Sequence, residues 1–313
     1  MPLTSGNFPD LLKPGLKRIF DIAMSRPRPM MEMLFGVEAS TRFEESYQGM
    51  GAMGTVPPFD GTVPYHNFDA GYRTDIRNYE FAFGIQVERR LADDDQFGQI
   101  NRRASNMADA FNNTIETDAA NVFINAFTDS GTNRMGASTN GADGVALLST
   151  AHPYSPANSG TTQSNEGTLA LTIDNLDTTR QAMRNIVDDK GNLLGVNPSM
   201  LLVPPELERT ATQIVSERAI YEPGSAQYDV NMFAGRFRPV VWDRLTDSNA
   251  WFLIDEALMK QHLIWQWRIR PEFSQAEDFD GLTAKFVATC AMVLGGLTGN
   301  GYTAKTLVKF KLK

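Results

Sequence analysis

From Asp93 to Thr128 the apolar positions are Ile100, Ala104, Met107, Ala108, Phe111, Ile115, Ala119, Val122, Phe123 and Phe127. Steps of three and four place them on one face of a helix, with Asn101, Asn106, Asn112, Asn113, Asp118 and Asn121 off that stripe. Asp93, Asp94 and Asp95 open the segment, where carboxylates cap free N–H groups and meet the positive end of the helix dipole; Gly131 lies just past its end. Such a helix runs roughly 45–50 Å at 1.5 Å per residue, far beyond the usual globular length. The pattern predicts a spine, and with it an architectural role ahead of a chemical one.

The pattern changes to a period of two before the spine. Tyr79, Phe81, Phe83, Ile85 and Val87 alternate with Glu80, Ala82, Gly84, Gln86 and Glu88, which predicts a strand. Gln48 to Gly71 is rich in Gly and Pro, including Pro57-Pro58 and Asp60-Gly61, and reads as turns and a loop tip. Phe43 to Tyr47 is the expected outgoing limb paired with the Tyr79 strand. Together they form an extended two-stranded flap, which is marginal in water without a partner to rest on. Residues 1–36 carry Pro2, Pro9, Pro14, Pro27 and Pro29, predict a helix only over Leu11 to Met24, and need another surface to dock on.

After the spine the chain is polar and glycine-rich (Asp129 to Asp143), then apolar at Val145 to Leu148, a predicted strand, then low-complexity from Ser155 to Asn165. Thr172 or Asp174 caps a helix whose inner face is Leu176, Met183, Ile186 and Val187, ending near Gly191. A strand over Met200 to Val203, a helix over Glu206 to Glu217 with Pro205 near its first turn, and strands at Val240–Trp242 and Trp251–Ile254 complete a compact mixed domain. Leu263, Trp265, Trp267 and Ile269 then alternate with Ile264, Gln266, Arg268 and Arg270. Lys285 to Leu294 is apolar on both faces, as in a covered central strand.

Composition narrows the function. No apolar run approaches the ~20 residues of a membrane span, and Met1 to Gly6 lacks a signal-peptide pattern, so the expectation is a protein of the cell interior or of something assembled there. A net charge of −8 argues against a surface built to neutralise duplex phosphates. The basic clusters near Lys13–Arg28 and Lys305–Lys313 read as solvated ends or as contacts for an acidic neighbour. Cys290, the single cysteine, sits in an apolar run and reads as a buried small hydrophobe. Gly49-Met50-Gly51-Ala52-Met53-Gly54 matches a dinucleotide fingerprint, but Thr55-Val56-Pro57-Pro58 follows where a helix must start. His66, His152 and His262 lack partners at metal-ligand spacing, and His152 has no nucleophile motif beside it. Helix capping and a solvated turn account for the paired carboxylates Asp93–Asp95 and Asp188–Asp189. The sequence therefore assigns no catalytic, cofactor-binding or metal-binding residue.

The order of parts resembles the HK97-fold major capsid proteins of tailed double-stranded DNA bacteriophages over essentially the whole chain. Ala146-Leu147-Leu148-Ser149-Thr150-Ala151-His152-Pro153 is similar to a segment of Mu-like major head subunits, as are Met200 to Glu208 and Asn249 to Ile254. The resemblance implies an α+β fold with an N-terminal arm (1–36), an E-loop β-hairpin (37–92), a peripheral P-domain with the spine helix (93–167), an axial A-domain (168–260), and P-domain return strands with a C-terminal tail (261–313). It implies a non-enzymatic head protein that self-assembles into hexamers and pentamers of an icosahedral shell enclosing DNA without sequence-specific binding. A scaffolding protein, a portal and decoration proteins are the expected partners, no membrane is involved, and the location is the virion, assembled in the bacterial host cytoplasm. Some members weld subunits through an E-loop lysine; here no lysine lies between Lys17 and Lys190, so that cross-link is excluded. The expected inter-subunit residues are Arg18 and Phe20 in the arm, Phe81, Phe83 and Ile85 in the flap, and Trp265 and Trp267 in the return strands. An encapsulin-like nanocompartment shell is the alternative on the same fold, and a soluble enzyme using the Gly49 loop or His152 is the alternative of another class.

Overall fold

The computed structural model describes residues 8–26, 29–65, 69–88, 97–216, 219–221, 228–278, 283–293, 296–297 and 307–310. The chain opens with α1 (Phe8–Met24), α2 (Pro29–Leu34), β1 (Gly36–Ala39), β2 (Glu44–Met50), β3 (Ala70–Arg77), β4 (Tyr79–Glu88) and the spine helix α3 (Phe97–Ile124). Next come β5 (His152–Ser155), β6 (Asn158–Gln163), β7 (Glu166–Gly167), α4 (Ile173–Arg184), β8 (Met200–Val203), α5 (Glu208–Ser216), β9 (Ala219–Tyr221) and β10 (Tyr228–Val230). The last elements are β11 (Arg238–Val241), β12 (Trp251–Ile254), α6 (Glu256–His262), β13 (Leu263–Asp278), β14 (Thr283–Met292), β15 (Gly296–Leu297) and β16 (Leu307–Phe310). The fold is α+β.

The spine is one helix of 28 described residues, about 42 Å long. Ile100, Ala104, Met107, Ala108, Phe111, Ile115, Ala119, Val122 and Phe123 are all buried, as their spacing requires. The expected cap at Asp93–Asp95 lies outside the described residues. The arm helix lies on this spine within the same chain. Leu16, Phe20, Ala23 and Met24 recur at helical spacing and are buried, with the Phe20 ring 6.3 Å from Phe111 and 5.5 Å from Phe273. At its end Arg26 pairs with Asp109 at 2.9 Å and the Asn112 amide donates to the Ala23 carbonyl.

Two sheets flank the spine. The first runs β1-β13-β14-β4, with β1 parallel to β13 and the other neighbours antiparallel; β15 also pairs with β13. The second runs β11-β8-β12-β16-β7. Its two central described strands are buried on both faces because successive side chains enter different cores. Met200, Leu202, Phe252 and Ile254 join the spine core, while Leu201, Val203, Trp251 and Leu253 join a second core with α4 and α5. Thr172 caps α4 by accepting from the Asn175 N–H.

The structure corrects the flap. The outgoing strand β2 pairs with β3, from Glu44↔Arg77 to Met50↔Ala70, whereas the Tyr79 strand pairs along its length with β14, from Tyr79↔Met292 to Glu88↔Thr283. Asn78 makes the corner between them: it is buried, its amide donates to Ser40 Oγ and the Arg42 carbonyl, each at 2.9 Å, and its N–H donates to the Phe43 carbonyl. Alternation identifies a strand without naming its partner. Residues Val145 to Leu148 are not a strand; Asp129 and the Ala126 carbonyl take the Ala146 and Leu148 N–H groups, and Asn165 donates to the Leu147 carbonyl. The Ser155–Asn165 stretch forms part of the β5–β6 hairpin, and α4 stops at Arg184, leaving Gly191 to close a separate turn.

Gly36 begins β1 where α6 crosses it: a Cβ there would lie 2.0 Å from the Lys260 carbonyl oxygen. Gly36→Ala is expected to displace one element and lower unfolding stability by about 3 kcal/mol in urea titration; an unchanged midpoint would show that this contact relaxes freely.

Candidate functional site

The flap tip gathers exposed apolar side chains where the chain has no regular structure. Met50, Met53, Val56, Phe59, Val63 and Tyr65 are all exposed, Val56 at 93% and Tyr65 at 94%. Residues 51–65 hold no helix or strand, and Pro57-Pro58 removes two donors from their middle. Exposed apolar side chains concentrated in one segment make it the candidate interaction site. The Gly49 fingerprint falls here, in β2 and an extended loop, with no helix following it. It cannot cradle a pyrophosphate.

Two sets of bonds fix the flap. At its base Tyr47 donates to Glu38 at 2.8 Å and accepts from the Gln266 amide, tying β2 to β1 and β13. Burial, then the hydrogen bond and charge of Glu38, push the Tyr47 hydroxyl up to about 12, so it stays protonated and donating. At the neck the flap meets a turn from Asp188 to Gly191. The Asp188 carboxylate takes the N–H groups of Lys190 and Asn192 and the Asn192 amide. Burial opposes its ionisation, but these bonds outweigh burial and hold its carboxyl below the ordinary range. So built, the turn presents Asp189 to the Ala52 N–H at 3.0 Å and Lys190 to Asp69 at 2.6 Å. Gly51 permits that approach: a Cβ there would stand 3.0 Å from the Asp189 carboxylate.

The expected interface residues separate by burial. Phe20, Trp265 and Trp267 are buried in their own subunit's core, where Trp265 lies 5.6 Å from Phe35 and 6.0 Å from Trp267. Phe81 and Ile85 are half-buried against the same core. Arg18 and Phe83 are exposed. Phe81, Phe83 and Ile85 stand on the sheet strand β4, outside the flap hairpin. The residues of the tip itself went unassigned in the sequence, although the signal was present: large apolar side chains set among Gly and Pro.

His152 opens β5 fully buried, with Nδ1 2.7 Å from Asp143 Oδ2. A His–carboxylate pair is what orients the base of a nucleophilic triad, but among the described residues the buried Nε2 has no hydrogen-bond partner, so no hydroxyl or thiol of theirs stands there to be activated. Among the described residues no group of His, Cys, Asp and Glu is arranged to hold a metal, and no helix is long and apolar enough to cross a membrane. His66 lies outside the described residues.

One charged group escaped the pattern. Asp118 sits off the apolar stripe of the spine, yet its side chain is buried, 2.8 Å from Arg134. The Arg134 guanidinium also stands 4.8 Å from the centre of the Phe81 ring. Burial drives the Asp118 pKa up to about 6, with Arg134 offsetting part of the rise.

Residues 72–301 match a family model described as phage capsid protein. Solved structures share the fold. The capsid of bacteriophage JBD30 decorated with minor capsid protein trimers aligns at TM-score 0.52 and 16% identity, over 79% of this chain and 100% of that one. The capsid of cyanophage P-SCSP1u aligns at TM-score 0.58 and 12% identity, over 90% and 87%. The SrpI encapsulin from Synechococcus elongatus PCC 7942 aligns at TM-score 0.50 and 10% identity, over 91% and 87%. No curated protein matches the chain.

Because the folded-state pKa of Asp118 is raised, folding favours its protonated form. Its stabilising contribution is complete below the ordinary value of 3.8 and is lost as pH rises through about 6. Asp118→Asn removes that titration. The melting temperature of the variant minus that of the parent is expected to grow between pH 4 and pH 7, and a constant difference would assign the titration elsewhere.

Proposed function

The chain belongs to the phage capsid protein family, which makes it a major capsid shell protein of the virion, and from that premise we propose how it builds the shell. Subunits close into hexamers and pentamers through contacts in which each flap tip lies on the next subunit around the ring. The exposed apolar tip carries this reading. Full burial of a large apolar side chain contributes about 1.5–3 kcal/mol, so burial of the tip's six offsets a large part of the cost of ordering the loop. The contact is heterologous, tip against a different surface, and such contacts close rings.

Arg18 and Phe83 are surface candidates for the receiving side, with Phe81 and Ile85 half-shielded beneath; Phe20, Trp265 and Trp267 serve from within by keeping that surface rigid. The division into arm (1–36), E-loop (37–92), P-domain (93–167), A-domain (168–260) and return strands (261–313) is carried into this proposal, with the working flap confined to β2, β3 and the tip. The role is structural and non-enzymatic, in keeping with the phage capsid protein family. Assembly takes place in the host cytoplasm with a scaffolding protein and a portal, around double-stranded DNA held without sequence readout, as the net charge of −8 favours. Decoration proteins are a further partner class, in keeping with the minor capsid protein trimers on the JBD30 capsid. The Ala146–Pro153, Met200–Glu208 and Asn249–Ile254 segments support a Mu-like head-subunit type.

Negative-stain electron microscopy of the chain, expressed alone and with its neighbouring genes, tests the reading. Hollow shells, capsomer rings or tubes are expected. A monodisperse monomer or dimer in both preparations would count against it, and a cargo protein co-purifying inside shells would favour a nanocompartment instead. Val56→Asp with Phe59→Asp is expected to leave the melting temperature within about 1 °C, since both side chains are exposed, while abolishing closed particles. Phe83→Asp is expected to behave likewise. Normal particles from the tip variant would remove the flap from the assembly contact.

A further inference from the structure

The neck of the flap is held by groups that lie 121 and 137 residues away in sequence, on a turn of the α/β unit built on the second sheet. Ala52 and Asp69, at the neck, both form hydrogen bonds to this turn. The turn is stiff: three hydrogen bonds converge on the Asp188 carboxylate, and Gly191 closes it at φ 87°, which a side chain resists. What it holds is not. The Lys190–Asp69 pair is exposed at both ends, 40% and 47%, and an exposed pair of this kind biases an equilibrium by about fivefold at most and is screened by salt. The base differs. Tyr47 is tied into the first sheet by two hydrogen bonds beside the buried Gln266 side chain.

A hairpin fixed at its base and lightly held at its neck, with an apolar tip beyond, has two available states: resting on its own subunit, or surrendered to another. We propose that the Asp188–Gly191 turn is a latch that keeps the flap on its own subunit through Asp189 and Lys190 and releases it when a neighbouring subunit takes the tip. The inference rests on the assembly role given above. It adds to it an intramolecular competitor that slows premature association and couples flap release to the α/β unit that carries the turn. Gly51 belongs to the device, because a side chain there would press on the Asp189 carboxylate.

The test uses the full chain as unassembled subunit and reads amide hydrogen exchange at Gly51 and Ala52 and over residues 70–72. Asp189→Asn combined with Lys190→Gln is expected to raise exchange at Ala52 about fivefold or more and to shorten the lag before assembled species appear in light scattering. Asp69→Lys combined with Lys190→Asp is expected to restore slow exchange over residues 70–72, which a general loss of fold would not allow. Unchanged exchange in the Asp189/Lys190 variant overturns the latch. So does a longer lag in a variant whose melting temperature is normal, because the contact would then belong to the assembled form. If the parent chain never assembles, the shell reading fails by itself, and exchange at Ala52 alone decides whether the turn holds the neck.

Discussion

Phe123 is the point on which the two halves of this subunit meet. Its ring makes edge contacts with Phe35 at 6.3 Å, Trp242 at 5.6 Å and Phe252 at 5.4 Å. Phe35 continues to Trp265 on β13. One side chain near the end of the spine helix thus joins the link between α2 and β1, the first sheet and the second sheet. Aromatic pairs in these edge geometries add to the area they bury, and a fully packed cluster permits little sliding. The consequence is mechanical. Both sheets are indexed to the same helix, so the flap base on one and the Asp188 turn on the other keep a fixed relation, and the neck contacts have a defined place to form.

How much of this was legible in the sequence depended on how local the cause was. The spine, β8, β12 and β14 follow from periodicity and continuous apolar runs, and the structure adds only that β8 and β12 divide their side chains between two cores. The Thr172 cap is equally local. Partners were not legible. Tyr79–Val87 reads as a strand in any sheet, and only the buried Asn78 corner turns it away from the flap and onto β14. Asp118 was hidden by the same logic from the other side: helical spacing places it with the polar residues, but Arg134 and the Phe81 strand cover that flank. A face becomes buried when a later element crosses it, and the sequence of the face does not record the crossing.

The seven expected interface residues show the same limit. The arm was expected to seek another surface because it has no core of its own, and the return-strand tryptophans to pack in a core or at an interface. The spine provides that core within the subunit, and Phe20, Trp265 and Trp267 are spent on it. Apolar character marks residues that require burial; it does not say whether the covering surface lies in the same chain. The flap tip differs because its apolar side chains stay uncovered after every other element is in place.

That remainder has to be reconciled with solubility. Six exposed apolar side chains on a flat face, or along an open strand edge, would associate with any similar surface. Here they sit at the end of β2 and on the loop after it, whose Pro57-Pro58 pair denies a neighbouring strand its ladder of hydrogen bonds. A loop of this shape buries area only in a groove that fits it, and the long-range repulsion between chains of net charge −8 suppresses encounters that lack such a fit. Selectivity therefore comes from shape and charge acting against a hydrophobic drive that would otherwise be indiscriminate. On the proposed assembly, the drive is delivered only where a second subunit presents the complementary surface, which is the condition a closed, repeating shell requires of each of its contacts.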